Sequence, residues 1–193
     1  MRPNDIDGEN DVLKTSENPP CVWPEAESIA EFEGTWWVAH TKSRNEKALA
    51  RRMHNKSISY FLPMHWKVSR KRGRTFRSLI PLFAGYVFFC GDEKDRLEVL
   101  KTNRVANIIV VNDQQGLVSD LCPIERLIRQ GADLRPHKYI KAGQKCRVIA
   151  GALMGAEGIV SRSSGRTRLV LQVEMLGQAT SVEVETDFVE VID

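Results

Sequence analysis

The C-terminal part of the chain, residues 139–193, consists of short apolar and polar segments separated by closely spaced glycines. Leu169, Leu171, Val173 and Met175 recur at every second position. A period of two is that of half-buried strands, so this part of the chain is predicted to be all β. Strands this short are stable only when they close on themselves or cover their edges, which indicates a small barrel.

Residues 34–131 mix strand-like and helix-like segments. Residues 35–40 are bulky and predict a first strand. Ser43 and Glu46 have the spacing of a capping box, so we expect a helix from there to about Asn55. Its inward-facing residues are predicted to be Leu49, Ala50 and Met53.

Further along, Gly73 is expected at the tip of a hairpin, since it interrupts a basic stretch between two strand-like segments. Asp92 is placed to cap a second helix, and Ser119 or Asp120 to open a third helix that Gly131 ends. Helices interspersed with antiparallel strands predict the α+β class. The expected architecture is an α/β sandwich followed by a small all-β barrel.

Composition divides the chain into four parts. Residues 1–33 are acidic and rich in Asn and Pro, which predicts a mostly disordered tail, with a helical turn at 28–33. Residues 132–138 are polar and contain Pro136, which is typical of a flexible linker. The linker is expected to join a domain at 34–131 to the barrel at 139–193.

The net charge of +3 conceals an uneven distribution. Residues 1–35 carry nine acidic and two basic residues, a net of −7, whereas residues 42–77 carry twelve basic residues and one acid, a net of +11. The basic segment fits either a surface that faces nucleic acid or a solvated charged face. Its candidate contacts with nucleic acid are Lys67, Arg70, Lys71, Arg72, Arg74 and Arg77. Few aromatic residues interleave with them, so phosphate contact is predicted rather than base readout.

Nothing in the sequence indicates catalysis, a bound metal or a cofactor. The four cysteines form no CxxC pair, and the four histidines lack metal-binding spacing. Cys90 and Cys146 adjoin apolar runs and are predicted to be buried. The sequence has no secretory signal and no apolar run near the ~20 residues of a membrane span, so we expect a cytoplasmic monomer.

Two motifs in this order resemble a known family. The first begins at Trp36-Trp37-Val38 and ends at residues 82–88, Leu-Phe-Ala-Gly-Tyr-Val-Phe. It resembles the NGN domain of the NusG and RfaH transcription elongation factors, with Ala84 where the family usually has proline. The second, at residues 148–160, resembles the KOW motif of the same family.

The resemblance implies that the NGN domain binds the coiled-coil clamp helices of the largest subunit of RNA polymerase. It would bridge the cleft and suppress pausing. His40, Phe83, Gly85, Tyr86 and Phe88 are then the candidate polymerase-binding residues. Gly85 permits a kink in the chain, and Tyr86 is the better contact because its hydroxyl needs water or a partner. Phe83 and Phe88 fit a role in the core equally well.

The resemblance also places the basic stretch near upstream DNA and the non-template strand. In NusG, the closing hairpin of the KOW domain engages Rho or a small-subunit ribosomal protein, and Leu176 and Gln178 occupy the corresponding positions. Since these two lack the family's aromatic and basic character, they favour a specialised paralogue or a different partner.

Within the predicted barrel, Gly151 and Gly158 are expected to have a structural role, either through positive φ or through close packing. The strand-like composition predicts a barrel in place of the helical hairpin that some RfaH relatives form. The alternative function is a ribosome-associated, RNA-binding KOW protein, which would lack the first motif. A sequence-specific DNA-binding regulator is disfavoured, because no helix-turn-helix pattern is present.

Overall fold

The structure is a computed structural model that describes residues 18–71, 73–137, 144–163 and 166–192. The first seventeen residues of the predicted tail, the candidate contact Arg72 and the side chain of Lys71 lie outside the described part.

Three helices and thirteen strands are described. In chain order they are β1 (Val22–Trp23), β2 (Thr35–Thr41), α1 (Glu46–Asn55), β3 (Ser59–Phe61), β4 (Met64–Lys71), β5 (Arg74–Pro81), β6 (Tyr86–Gly91), α2 (Glu93–Lys101), β7 (Val105–Val110), α3 (Gln114–Arg129), β8 (Arg135–His137), β9 (Lys145–Val148), β10 (Glu157–Ser163), β11 (Arg166–Val173), β12 (Gln178–Val184) and β13 (Val189–Val191).

The N-terminal half is a five-stranded antiparallel sheet in the order β1-β3-β6-β2-β7, with helices on both faces. Successive side chains of a strand point to opposite faces, so β2 supplies two cores. Trp36 and Val38 pack towards α3, whereas Trp37 and Ala39 pack with apolar residues of α1 and α2. This arrangement confirms the predicted α+β sandwich.

Helix α1 begins later than the sequence predicted, and the predicted capping box is wrong. Asn45 is the N-cap and makes no side-chain capping bond, because Arg44 turns the chain at φ 58° just before it. Glu46 is instead the first helical residue, and its carboxylate accepts a hydrogen bond from Gly85. The inward-facing residues of the helix were predicted correctly, since Leu49, Ala50 and Met53 are buried.

Residues 18–33, which we call the N-terminal strap, have a defined structure, whereas their composition predicted disorder before the helical turn expected at 28–33. Strand β1 pairs with β3 at the edge of the sheet. A short 3-10 turn follows at Ile29–Glu31, and Ile29 is fully buried against the α3 face. Acidic composition concealed the few apolar residues that hold the strap in place.

The other two helices show one success and one error of prediction. Helix α2 has the predicted cap, because Asp92 and Asp95 form a reciprocal capping box. Helix α3 begins at Gln114, capped by Asp113, several residues before the predicted start. The amide of Gly116 in its first turn donates to the capping carboxylate of Asp113 at 2.8 Å.

The C-terminal half forms a six-stranded antiparallel sheet in the order β13-β9-β10-β11-β12-β8, which we call the C-terminal sheet. It confirms the predicted all-β region. Leu169, Leu171 and Val173 are buried at alternate positions of β11, as their period of two predicted. Met175 continues that period but lies in a 3-10 turn after the strand and is 39% exposed, so the strand prediction is wrong there. Cys90 in the first sheet and Cys146 in this one are buried free cysteines, also as predicted.

The predicted linker, residues 132–138, is largely ordered, and its flexible interpretation is wrong over the described residues. Leu134 is buried in the core on the α3 side of the first sheet. Strand β8 then pairs with β12, and Thr180 donates a side-chain hydrogen bond to the carbonyl of Arg135 at 2.9 Å. The segment is therefore an edge strand of the C-terminal sheet.

The C-terminal sheet lies against α3. Leu117, Leu121 and Ile124 of α3 share one apolar core with Leu169 and Leu171 of β11. The helix therefore has apolar partners on two sides, the first sheet and the C-terminal sheet.

Candidate functional site

The turn before β6 is built around Gly85. Its φ of +86° is a backbone conformation that residues with a Cβ rarely adopt. The Gly85 carbonyl accepts from the amide of Thr41 at 2.8 Å, and the Gly85 amide donates to the Glu46 carboxylate at 2.7 Å. These two bonds fix the turn to β2 and to the first residue of α1.

His40 and Tyr86 face each other across the ladder between β2 and β6, and we call them the aromatic pair. Their ring centroids lie 5.2 Å apart with an interplanar angle of 26°, which is a stacked arrangement. His40 is exposed and Tyr86 is half-buried. The His40 ring also lies 3.5 Å from where a Cβ on Gly85 would be, so the turn and the pair are packed together.

Phe83 and Phe88 lie beneath the surface. They are 1% and 0% exposed, and their rings meet edge to face with centroids 6.0 Å apart. They belong to the core of the α3 face, which is the structural role that the sequence left open. Of the five candidate polymerase-binding residues, the aromatic pair carries the accessible ring surface.

Strands β4 and β5 form a two-stranded sheet of their own, which we call the basic hairpin. Lys67, Arg70, Arg74 and Arg77 are exposed on it. Within the described part of the chain, none of the ion pairs involves these four side chains. Their charge is therefore available to a ligand.

Lys47 ties the base of the hairpin to α1, a contact that the sequence did not predict. Its ammonium group donates to the carbonyl of Leu79 on β5 and, at 2.6 Å, to the side chain of Asn18 in the strap. Burial, with a further effect of nearby Arg51, lowers the pKa of Lys47. One side chain thus joins helix, hairpin and strap.

Glu125 on α3 is a second residue that sequence reasoning missed. It is 3% exposed, accepts from the amide of Ile29 at 3.0 Å and pairs with Arg129 at 2.7 Å. A buried carboxylate needs such partners. In the sequence, the apolar residues Ile29 and Phe32 within an acidic segment were the feature that could have indicated packing of this segment against the domain.

The two glycines of the C-terminal sheet have different constraints. Gly151 has φ +80°, and a Cβ there would press on the ring of Phe188 at 3.3 Å. Gly158 has an ordinary φ, but a Cβ would collide with the carbonyl oxygen of Val170 on the adjacent strand β11. Gly151 is therefore constrained by its positive φ, and Gly158 by its close packing against the adjacent strand.

The predicted partner-binding positions lie beside α3. Leu176 ends a 3-10 turn, Glu174–Leu176, and is partly buried against the shared core. The amide of Glu174 donates to the Asp120 carboxylate of α3 at 2.9 Å. Gln178 begins β12 and is half-buried. Burial, the largest effect, raises the pKa of Asp120.

Two further properties bear on function. Among the residues that the structure describes, no group of three or more His, Cys, Asp or Glu side chains is arranged to hold a metal ion. In the same part of the chain, no helix is both long and apolar enough to cross a membrane.

An α/β sandwich with an exposed aromatic pair and a basic hairpin, followed by an all-β domain, is typical of a protein that acts by binding other macromolecules. The sequence model of the family described as transcription termination factor nusG matches residues 34–126. This part of the chain therefore matches the NusG family of transcription factors. Proteins of this family are not enzymes.

Solved structures give weaker likenesses. A structure showing domain interaction in Thermotoga maritima NusG is 17% identical, with 83% of this chain and 98% of that chain covered and a TM-score of 0.48. A structure of the MjSpt4:Spt5 complex is also 17% identical, with 82% and 97% covered and a TM-score of 0.26. The assignment depends on the family match and not on these values. No curated protein matches the sequence significantly.

Proposed function

We propose that the chain binds RNA polymerase through the aromatic pair, with the clamp helices of the largest subunit as the contact. The observation that carries this proposal is the partly exposed His40–Tyr86 stack, held by the Gly85 turn. Rigid aromatic rings that project from a fixed strand pair are the side chains that most often dominate binding energy. The clamp helices are the partner that the resemblance to the NusG family implies.

Replacing Tyr86 tests the contact. In Tyr86→Ala, affinity for the clamp helices should fall roughly 30-fold, the about 2 kcal/mol typical of a dominant interface residue. Tyr86→Phe keeps the ring and should retain most of the affinity. Met154→Ala, at an exposed apolar side chain of the C-terminal half, serves as the matched control. A folded Tyr86→Ala protein that binds as well as wild type would show that the contact lies elsewhere.

The basic hairpin supplies the second contact, with the phosphates of upstream or non-template DNA. Its exposed, unpaired cations support this role, because Lys and Arg that neutralise phosphates release counterions. Together, the two contacts bridge nucleic acid and polymerase. Such bridging would hold the polymerase cleft closed and suppress pausing.

The hairpin contact predicts a change in salt dependence. Joint replacement Arg70→Gln and Arg74→Gln should reduce the slope of log affinity against log salt by roughly 1.4 for single strands, about 0.7 for each phosphate that is no longer neutralised. Lys94→Gln with Lys101→Gln removes the same charge from the exposed face of α2 and should leave the slope unchanged. Equal slopes for wild type and the hairpin variant would exclude phosphate contact there.

The all-β domain is proposed to be a KOW domain that recruits a second factor through the region of Leu176 and Gln178. In this structure the adjacent turn is bonded to α3, so recruitment would compete with that contact. The family match of residues 34–126 disfavours the alternative of a ribosome-associated KOW protein. A pull-down compared for RNA polymerase and ribosomal subunits distinguishes the two.

A further inference from the structure

The basic hairpin exposes more apolar surface than a solvated charged loop requires. Trp66 is 42% exposed, Val68 59% and Phe76 44%. A two-stranded sheet on its own is marginally stable, and exposed apolar side chains on it do not add to a core. Exposed aromatic groups beside cations indicate a binding surface.

The register of the hairpin places Trp66 and Val68 on one face. Trp66 pairs with Leu79, and Val68 with Arg77, so the four side chains project from the same side of the two strands. Arg70 follows on that side, one alternate position nearer the tip. Phe76 belongs to the opposite face, where it pairs with Ser69.

Arg77 holds the indole in place. Its guanidinium carbon lies 5.4 Å from the centroid of the Trp66 ring, a cation–π contact. An ordered ring loses little further freedom when a ligand stacks on it, which favours binding. Among the contacts of the described residues, no cation lies over the ring of Phe76. The hairpin face that bears Trp66 is therefore better ordered for stacking than the face that bears Phe76.

We propose that the hairpin face bearing Trp66 and Arg77 is a stacking platform for the unpaired bases of single-stranded nucleic acid. Every base has a π face, and aromatic side chains beside a cationic backbone track are the recurring way to hold a single strand. In a duplex these base faces are covered by neighbouring pairs. This inference rests on the proposed contact between the hairpin and DNA. In that contact the hairpin would bind bases as well as phosphates.

Comparing a normal with an abasic strand tests the platform. Full-length protein is titrated with labelled oligothymidine and with an abasic strand of equal length, which has the same phosphates but no bases. Wild type should prefer the oligothymidine roughly tenfold, as one stacked base provides. Trp66→Leu, which keeps an apolar side chain but loses the π face, should abolish the preference and leave the affinity for the abasic strand unchanged. Trp66→Phe should restore most of the preference.

Phe76→Leu, on the opposite face of the same hairpin, is the matched control and should keep the preference. Equal wild-type affinity for both strands would overturn the platform while leaving the phosphate contact intact. Loss of both affinities together in Trp66→Leu would indicate a structural role for the indole. Unchanged strand preference with weakened polymerase binding in that variant would assign the face to a protein. Absence of any binding to either strand would refute the proposed DNA contact as well.

Discussion

Glu46 illustrates how one residue was located correctly in the sequence and given the wrong role. The capping-box pattern marked it as important at the start of α1, but its carboxylate crosses to the amide of Gly85. A capping pattern is local, whereas this bond joins positions 39 residues apart. The buried carboxylate therefore connects the helix to the turn that carries the aromatic pair.

Removing this bond should weaken the fold and the site together. Glu46→Ala leaves the Gly85 amide without its acceptor and should lower the free energy of unfolding by about 1–3 kcal/mol. Glu46→Gln keeps an acceptor oxygen and should lose less. Urea unfolding measures the difference. Equal stability of wild type and Glu46→Ala would mean that the bond contributes nothing to the turn.

Among the elements, most of those with a local signal were predicted well, the cap of α1 excepted, and those held by distant contacts were not. The caps of α2, the hairpin around Gly73 and the alternation in β11 each follow from a few adjacent residues. The strap and β8 depend on pairing with strands far along the chain, where composition is a poor guide. Similarly, the sequence identified the aromatic residues near Gly85, but only the fold separates the exposed aromatic pair from the buried phenylalanines.

The strap is predicted to stabilise the domain through Ile29. This side chain is fully buried, so Ile29→Ala should cost about 2–4 kcal/mol of unfolding free energy. Glu31→Ala, at an exposed position in the same 3-10 turn, should change stability by no more than about 0.5 kcal/mol. Thermal or urea unfolding of both variants provides the comparison. An unchanged free energy of unfolding in Ile29→Ala would mean that the strap does not stabilise the domain, and would support the disordered tail expected from its composition.

For the whole molecule, α3 is the element that joins the two halves. One side of it covers the first sheet, and another meets the C-terminal sheet, with Asp120 accepting from Glu174. The short ordered connection through β8 replaces the flexible linker that the sequence suggested. A second factor recruited through the turn at Glu174–Leu176 would therefore have to compete with the contact to α3.

The aromatic pair is proposed to face RNA polymerase during elongation. A photo-reactive benzoylphenylalanine placed at position 86 of the full chain, irradiated in an elongation complex, tests it most directly. We predict a covalent adduct with the largest subunit that maps to its clamp helices. Cross-linking to a ribosomal protein, or none to polymerase from a folded and active chain, would contradict the account.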